Sequence, residues 1–153
     1  MSLETGAAAP DFDLVDQHGQ RIRLSSHRGE KAVLLVFFPF AFSGVCTGEL
    51  TGFRDQLGKF ESADTTLMTV SCDPMFSLRA MADRDGLFFP MLSDFWPHGA
   101  VASAYQVFDE MVGCPRRSSY VVDKAGRVCW SVHSASGQAR DLAEHAAQLA
   151  QAV

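Results

Sequence analysis

The sequence predicts an α/β fold in which a strand–helix–strand unit lies between an N-terminal β-hairpin and a C-terminal hairpin and helix. Two apolar runs, "KAVLLVFF" at 31–38 and "TTLMTVSC" at 65–72, are nearly continuous, which is typical of strands buried on both faces. Between them, apolar residues recur at the spacing of one helical face: Leu50, Phe53, Leu57 and Phe60. A turn at 124–126 divides the β-rich stretch 118–133 into two strands, which indicates a hairpin.

The N-terminal and central segments carry weaker local signals. Residues 12–15 and 21–24 predict two short strands joined by a turn at the "HG" dipeptide. The stretch "LFFPMLSDFWPHGAVASAYQVF" predicts an irregular connection, with a short strand around Met91 and a short helix from about Gly99. We expect these two segments to be additions to the central frame.

Two further helices are expected. The first follows the second buried strand, with Asp73 as its N-cap, Pro74 at its first position and Gly86 at its end. Its apolar stripe consists of Met75, Leu78 and Met81 or Ala82. The last helix is predicted within 136–153, and its inner face consists of Leu142, Ala146, Leu149 and Val153.

This order of elements is that of a thioredoxin-like fold with an N-terminal β-hairpin extension and a central insertion. With 153 residues, the chain is long enough for one such domain, which we predict to span 1–153. In such a fold, ligands bind beyond the carboxyl ends of the parallel strands. Residues 39–46 lie at that position, immediately after the first buried strand.

Composition excludes several classes of function. The chain is 47% apolar and 20% charged with a net charge of -5, which is ordinary for a soluble globular protein and argues against nucleic acid as a partner. The longest apolar run is too short to span a membrane and contains a proline, so no membrane association is expected. The first residues lack the basic and apolar regions of a secretory signal, which predicts a cytoplasmic protein.

The four cysteines are Cys46, Cys72, Cys114 and Cys129, and no two of them form a C-x-x-C motif. In a cytoplasmic chain of this size we do not expect a structural disulfide framework. No cysteine or histidine pair has the close spacing that a structural zinc site uses, so no metal site is expected.

Cys46 is the strongest candidate for chemistry, because it falls in the first turn of the helix that follows the first buried strand. Unpaired backbone N–H groups and the helix dipole favour negative charge there, and only the thiolate of a cysteine is a nucleophile. The Ser43 hydroxyl can hydrogen-bond the sulfur or orient an oxygen substrate. Pro39 stiffens the loop, and its ring can shield the sulfur from water.

A cation is expected to complete this site. Arg116 and Arg117 precede a strand that should lie beside the strand leading to Cys46. A guanidinium is permanently charged and stabilises both a thiolate and the charge that develops on an oxygen during attack. Glu49 lies one helical turn beyond Cys46, and its expected role is to hold that cation in place.

These residues resemble the peroxiredoxin family. "PFAFSGVC" fits its Pro-x-x-x-Thr/Ser-x-x-Cys pattern at Pro39, Ser43 and Cys46, although threonine is commoner than serine at the middle position. "RSSYVVD" is similar to the stretch that carries the family's active-site arginine, which gives that role to Arg117 and leaves Arg116 as the alternative. "GAAAPDFDL" resembles the usual opening, and "SDFWPHGAVASAYQVF" is most similar to the AhpE-type one-cysteine peroxiredoxins of actinobacteria.

The resemblance implies a thiol peroxidase of the peroxiredoxin type. Cys46 would attack hydrogen peroxide, an organic hydroperoxide or peroxynitrite and become a sulfenic acid, without a metal or an organic cofactor. An external thiol would then reduce it: mycothiol, a mycoredoxin or a thioredoxin-like protein. The family also implies a homodimer.

Alternatives remain for the other residues. Cys72 and Cys129 are expected to be inert core residues. A one-cysteine cycle is the default, and if an internal thiol resolves the sulfenic acid, Cys114, in a predicted loop, is the best placed and Cys72 is the alternative. We expect Phe38, Phe40 and Phe42 to pack in the core rather than to line a substrate pocket. Trp96 and His98 are candidates for the active site, but anchoring of the irregular loop or a dimer contact explains them at least as well.

Two other functions are consistent with a reactive cysteine. One is a redox sensor or binding protein whose Cys46 is oxidised without turnover. The other is a thiol–disulfide oxidoreductase, against which the missing C-x-x-C motif counts strongly.

Overall fold

A computed structural model of the chain describes residues 3–134 and 139–153. Its centre is a seven-stranded mixed sheet in the order β2-β1-β5-β4-β3-β8-β9. The strands are β1 (Asp13–Val15), β2 (Arg21–Arg23), β3 (Ala32–Phe37), β4 (Thr65–Ser71), β5 (Met91–Ser93), β6 (Phe108–Asp109), β7 (Cys114–Pro115), β8 (Ser118–Val122) and β9 (Val128–His133). The helices are α1 (Gly44–Asp55), α2 (Met75–Asp85), α3 (Ala100–Ala104) and α4 (Leu142–Gln151).

The two apolar runs form the middle of the sheet, as predicted. Strand β3 pairs in parallel with β4 and antiparallel with β8, and every residue of β3 and β4 is buried. Successive side chains of a strand point to opposite faces. Leu34 and Val36 therefore join the core beneath α1, α2 and α4, while Leu35 and Phe37 join a second core that includes Tyr105.

Helix α1 is shorter than the apolar pattern predicted. It ends at Asp55, and a 3-10 turn at Leu57–Lys59 follows it. Phe60 lies beyond that turn but is still buried, with its ring centroid 4.9 Å from that of Phe53. The apolar side chains thus reach the same core by a different backbone path.

Helix α2 does not begin as predicted. Pro74 is its N-cap, and no side chain caps it, so Asp73 is not the capping residue. The Asp73 carboxylate instead accepts hydrogen bonds from the Ala41 N–H and the Ser71 hydroxyl. The predicted end is right: Gly86 has φ +66°, a left-handed conformation that glycine adopts at low cost.

The N-terminal extension and the C-terminal hairpin both form. Strands β1 and β2 pair antiparallel, and β1 joins the sheet through Val15 opposite Ser93 of β5. Strands β8 and β9 pair antiparallel around a turn that Gly126 closes by donating to the Asp123 carbonyl. Strands β6 and β7 form a small separate ladder that the sequence did not predict, and Cys114 lies in it rather than in a loop.

Helix α4 begins at Leu142, where the Asp141 carboxylate accepts from the Glu144 N–H. The first residues of the predicted stretch, 136–138, lie outside the described residues. Leu142, Ala146 and Leu149 face the core as expected, but Val153 lies beyond the helix end and is exposed.

A buried histidine completes the inner face of α4. His145 Nδ1 lies 2.6 Å from the Asp141 carbonyl oxygen, and Nε2 lies 2.8 Å from Ser119 Oγ. The imidazole packs edge-on against the rings of Phe53 and Trp130. Burial is the main reason why the pKa of His145 is lowered.

We expect His145 to make the protein less stable as the pH falls from 7.5 to 5.5. Its folded-state pKa is lowered, so below the unfolded-state pKa of about 6.5 the unfolded chain binds more protons than the folded one. Urea unfolding of the wild type and His145→Gln at both pH values measures the effect. The variant should lose less free energy of unfolding over this interval, and equal losses would contradict the prediction.

Candidate active site

Cys46 is the third residue of α1, just beyond the carboxyl end of β3, and it is fully buried. Ser43 is the N-cap of this helix, but its side chain makes no capping hydrogen bond. Its hydroxyl donates to the Phe40 carbonyl at 3.1 Å rather than to the sulfur. The first of the two expected roles of Ser43 is therefore not seen, and the orientation of an oxygen substrate stays a prediction.

Arg117 is the cation that reaches the sulfur. It immediately precedes β8, whose Ser118 lies opposite Phe37 at the end of β3, and this register brings the arginine to the start of α1. Arg117 is buried, and its Nη2 donates to Cys46 Sγ at 3.4 Å. The side chain of Arg116 is exposed.

Glu49 binds the arginine, as the sequence indicated. Residues three apart on a helix share a face, so Cys46 and Glu49 point to the same side of α1. The buried Glu49 Oε1 accepts from Arg117 Nη1 and, at 2.7 Å, from Arg140 Nη1. Its other oxygen accepts from the backbone N–H of Arg140 at 2.7 Å.

Arg140 is a member of this cluster that the sequence did not reveal. Its Nη2 donates to the Phe37 carbonyl and, at 3.4 Å, to the Ser118 carbonyl, so it also ties together the ends of β3 and β8. Burial lowers the pKa of its guanidinium to about 10, and the Glu49 carboxylate opposes this effect. It is therefore charged at neutral pH. The only signal in the sequence is an arginine just before a helix N-terminus, where the dipole disfavours a cation unless a carboxylate is near.

Replacing Glu49 with alanine is expected to lower the free energy of unfolding by about 3–5 kcal/mol, because two buried guanidinium groups lose their carboxylate. Chemical denaturation measures this loss. The exposed Glu30, changed to alanine, is the matched control and should alter stability by less than about 0.5 kcal/mol. A loss at Glu49 as small as that at Glu30 would contradict the charge pairing.

A cavity of about 580 Å³ opens beside this cluster. One wall comes from the loop and the start of α1, and the other from β6, β7 and the two arginines. The lining residues are Pro39, Phe40, Ser43, Gly44, Val45, Asp109, Val112, Cys114, Pro115, Arg116, Arg117 and Ser134. The expectation that all three phenylalanines pack in the core is wrong, because only Phe38 is buried, while Phe40 and Phe42 are exposed.

The sequence profile of the AhpC/TSA family matches residues 5–131. The chain belongs to this family. Alkyl hydroperoxide reductase E of Mycobacterium tuberculosis is 47% identical to it over 139 residues, which span 91% of each protein. A putative peroxiredoxin of the same organism is 35% identical over 132 residues, with 82% of each protein covered. The predicted peroxiredoxin resemblance and its likeness to the AhpE group are confirmed.

Two solved structures have the same fold as this chain. The crystal structure of peroxidoxin BcpB from Mycobacterium tuberculosis superposes with a TM-score of 0.86 at 29% identity and covers 97% of both chains. Enterococcus faecalis AhpC gives a TM-score of 0.88 at 26% identity, with 99% of this chain and 92% of that chain covered. The predicted thioredoxin-like fold is thereby confirmed.

Burial disfavours ionisation of the other three cysteines of this peroxiredoxin. Burial raises the pKa of Cys72, which directly follows β4, to about 12. Burial also raises the pKa values of Cys114 and Cys129. At Cys114, the nearby charges of Asp109 and Cys46 raise the pKa further. A protonated thiol is a poor nucleophile, so their environments differ from that of Cys46, which contacts a guanidinium.

The aromatic residues of the central insertion have different surroundings. Trp96 is 81% exposed, so its ring does not anchor the loop within one copy of this peroxiredoxin. His98 does so instead, with Nε2 2.8 Å from the Gly113 carbonyl oxygen and Nδ1 3.2 Å from that of Phe95.

Within residues 3–134 and 139–153, no group of three or more histidine, cysteine or acidic side chains is arranged to hold a metal ion. Over the same residues, none of the helices combines the length and the hydropathy that crossing a bilayer requires.

Proposed function

We propose that this peroxiredoxin is a thiol peroxidase in which Cys46 reduces hydrogen peroxide, organic hydroperoxides and peroxynitrite. The observation that carries the proposal is the contact between Arg117 Nη2 and Cys46 Sγ at 3.4 Å, at the start of a helix. A guanidinium and a helix N-terminus both stabilise a thiolate. The name alkyl hydroperoxide reductase E, borne by a relative with 47% identity, supports the same activity.

The reaction follows from this arrangement. The Cys46 thiolate attacks the terminal oxygen of the hydroperoxide, and the S–O bond forms as the O–O bond breaks. The leaving oxygen takes a proton from solvent to give water or an alcohol, and peroxynitrite releases nitrite. The cysteine becomes a sulfenic acid. Arg117 stabilises the negative charge on the oxygens during attack, while Glu49 fixes the guanidinium in place. Ser43 and Pro39 border the space where the peroxide would bind.

The lining of the cavity supports organic hydroperoxides among the substrates. Its volume of about 580 Å³ far exceeds that of hydrogen peroxide. Phe40, Val45, Val112 and Pro115 give it apolar surface, which suits a hydrocarbon group.

A one-cysteine cycle is proposed for regeneration. An external thiol attacks the Cys46 sulfenic acid, releases water and forms a mixed disulfide, and a second thiol restores Cys46. The raised pKa values of Cys72, Cys114 and Cys129 support an external source over an internal one. Mycothiol, a mycoredoxin or a thioredoxin-like protein would fill this role.

We further propose that the chain, a single domain over 1–153, acts as a homodimer in the cytoplasm. Phe42, Phe95 and Trp96 are exposed apolar residues, which supports burial against a second copy. Four free cysteines are consistent with a reducing compartment. Analytical ultracentrifugation of the wild type and Trp96→Ala tests the dimer, and a monomeric wild type at micromolar concentration would contradict it.

The activity is tested by stopped-flow mixing of the reduced protein with hydrogen peroxide or an organic hydroperoxide. We expect a second-order rate far above that of free cysteine, and a rate no faster would overturn the proposal. Mass spectrometry after one equivalent of hydroperoxide should find a trapped sulfenic acid on Cys46. A Cys46–Cys114 disulfide would overturn the one-cysteine cycle. Oxidation without turnover, whichever thiol is supplied, would favour the redox sensor.

A further inference from the structure

The loop between β3 and α1 contains a strained residue. Phe42 has φ +68°, in the left-handed region that a bulky side chain rarely adopts. Helix α1 begins two residues later, at Gly44. Such a conformation persists only where the surrounding structure enforces it, and it is found most often at functional sites.

The contact that holds this loop comes from the end of β4. Asp73 Oδ2 accepts from the backbone N–H of Ala41 at 2.8 Å and from Ser71 Oγ at 2.7 Å. The Ser93 hydroxyl, at the end of β5, donates to the Asp73 carbonyl at 2.7 Å. Asp73 is thus fixed by the ends of two strands, and through it the sheet fixes the residue next to Phe42.

A second and weaker contact acts on the same loop. The Arg84 guanidinium lies over the Phe42 ring, 4.9 Å from its centroid, and Arg84 Nη2 is 3.4 Å from Thr47 Oγ1. Arg84 is exposed, so water and salt weaken its hold. The hydrogen bond to the half-buried carboxylate of Asp73 is therefore the stronger of the two contacts on the loop.

We propose that Asp73 is a positioning residue for Cys46: its hydrogen bond to Ala41 keeps the loop in the shape that brings Cys46 Sγ to Arg117. This inference rests on the proposed function. The direction of α1 at Gly44 depends on the backbone angles of the loop before it, and Cys46 lies in the first turn of that helix. A displacement of about 1 Å between reacting groups can cost about a hundredfold in rate.

The test compares Asp73→Ala, Asp73→Asn and Asp73→Glu with the wild type, at temperatures where each variant is folded. We expect Asp73→Ala to slow the reaction of Cys46 with hydrogen peroxide at least tenfold. Asp73→Asn keeps an oxygen acceptor and should stay within threefold of the wild type. Asp73→Glu keeps the charge but moves it by one methylene, so it should also be slow, and it supplies the test if the alanine variant does not fold.

Iodoacetamide alkylation of Cys46 across pH 5 to 9 is the second readout, and it needs no peroxidase activity. Asp73→Ala and Asp73→Asn both lack the carboxylate charge, so a difference between their profiles reports the hydrogen bond alone, and we expect alkylation of Asp73→Ala to need a higher pH than that of Asp73→Asn. A purely structural role would change the melting temperature and leave the two profiles of the folded proteins equal. Asp83→Ala, an exposed acid of α2, is the matched control and should behave as the wild type in both assays.

The outcomes separate the two proposals. If the wild type does not react with peroxide, the proposed function fails, while the alkylation profiles still test Asp73. Wild-type rates and profiles in both Asp73→Ala and Asp73→Glu would overturn the positioning role. Equal slowing of Asp73→Ala and Asp73→Asn would overturn it as well, because asparagine accepts the same hydrogen bond.

Discussion

Replacing Cys46 with serine is expected to abolish the reaction with hydroperoxides. The hydroxyl of serine is not ionised at neutral pH, so the guanidinium of Arg117 and the start of α1 have no thiolate to stabilise. Stopped-flow rates with hydrogen peroxide and with an organic hydroperoxide should fall to the detection limit, a loss of at least about a thousandfold. The free energy of unfolding should also be measured, because serine removes the charge that offsets the buried guanidinium groups, and the rates should be compared at a temperature where the variant is folded.

The same substitution at the other three cysteines is the control. Cys72→Ser, Cys114→Ser and Cys129→Ser should each keep the peroxide rate within about threefold of the wild type, because burial holds these thiols protonated. Cys114→Ser is the most stringent of these controls, because Cys114 lines the cavity in which the peroxide is proposed to bind. A peroxide reaction that survives Cys46→Ser, or one that disappears with Cys114→Ser, would contradict the assignment of Cys46.

Replacing Arg117 with methionine is expected to slow the peroxide reaction by about 10²–10³-fold. The variant loses the donor to Cys46 Sγ and, with it, the charge proposed to stabilise the oxygens during attack. A loss of this size is typical of the removal of one preorganised donor. Arg117→Lys keeps the charge but not the planar donor set, so it should fall between methionine and the wild type. Rates over a range of peroxide concentrations, with stability measured in parallel, give the comparison.

Arg116→Met is the matched control for Arg117. The side chain of Arg116 is exposed, and its backbone N–H donates to the Val107 carbonyl, a bond that the substitution retains. We expect its peroxide rate to stay within about threefold of the wild type. The reverse result, with a large loss at Arg116 and none at Arg117, would show that the neighbouring arginine has the catalytic role. Glu49 keeps its bonds to Arg140 in the Arg117 variant, so stability should fall less than in Glu49→Ala.

The elements that the sequence predicted well are those whose signals are local. The apolar runs of β3 and β4 need no partner to be recognised, and the left-handed glycine that ends α2 is a single-residue signal. The position of Cys46 at the start of α1 follows from the same local patterns. The contact between Cys46 and Arg117, which are 71 residues apart, could be predicted for two reasons. The sequence places β8 beside β3, and "RSSYVVD" is similar to the stretch that carries the arginine in peroxiredoxins.

The features that the sequence did not predict depend on contacts between distant segments. Arg140 binds Glu49, which lies 91 residues earlier in the chain, and the sequence around either residue does not indicate this pairing. Asp73 stands directly before a helix, where an aspartate commonly caps the N-terminus. Its carboxylate instead accepts from the N–H of Ala41, 32 residues earlier, because the loop that contains Ala41 lies at the same edge of the sheet. The apolar spacing up to Phe60 predicted correctly that Phe60 is buried, but it did not predict where α1 ends. Phe60 packs on Phe53 from beyond a 3-10 turn that follows the helix.

The sharing of Glu49 by Arg117 and Arg140 has a consequence for electroneutrality. One buried carboxylate faces two buried guanidinium groups, so the cluster has an excess of one positive charge when the neighbouring sulfur is a neutral thiol. Loss of the proton from Cys46 brings the sum to zero. A sulfenic acid is neutral again, and the excess then returns to a place that water hardly reaches. The charges of Glu49, Arg117, Arg140 and Cys46 therefore sum to zero only in the thiolate form, the form in which a cysteine is a nucleophile.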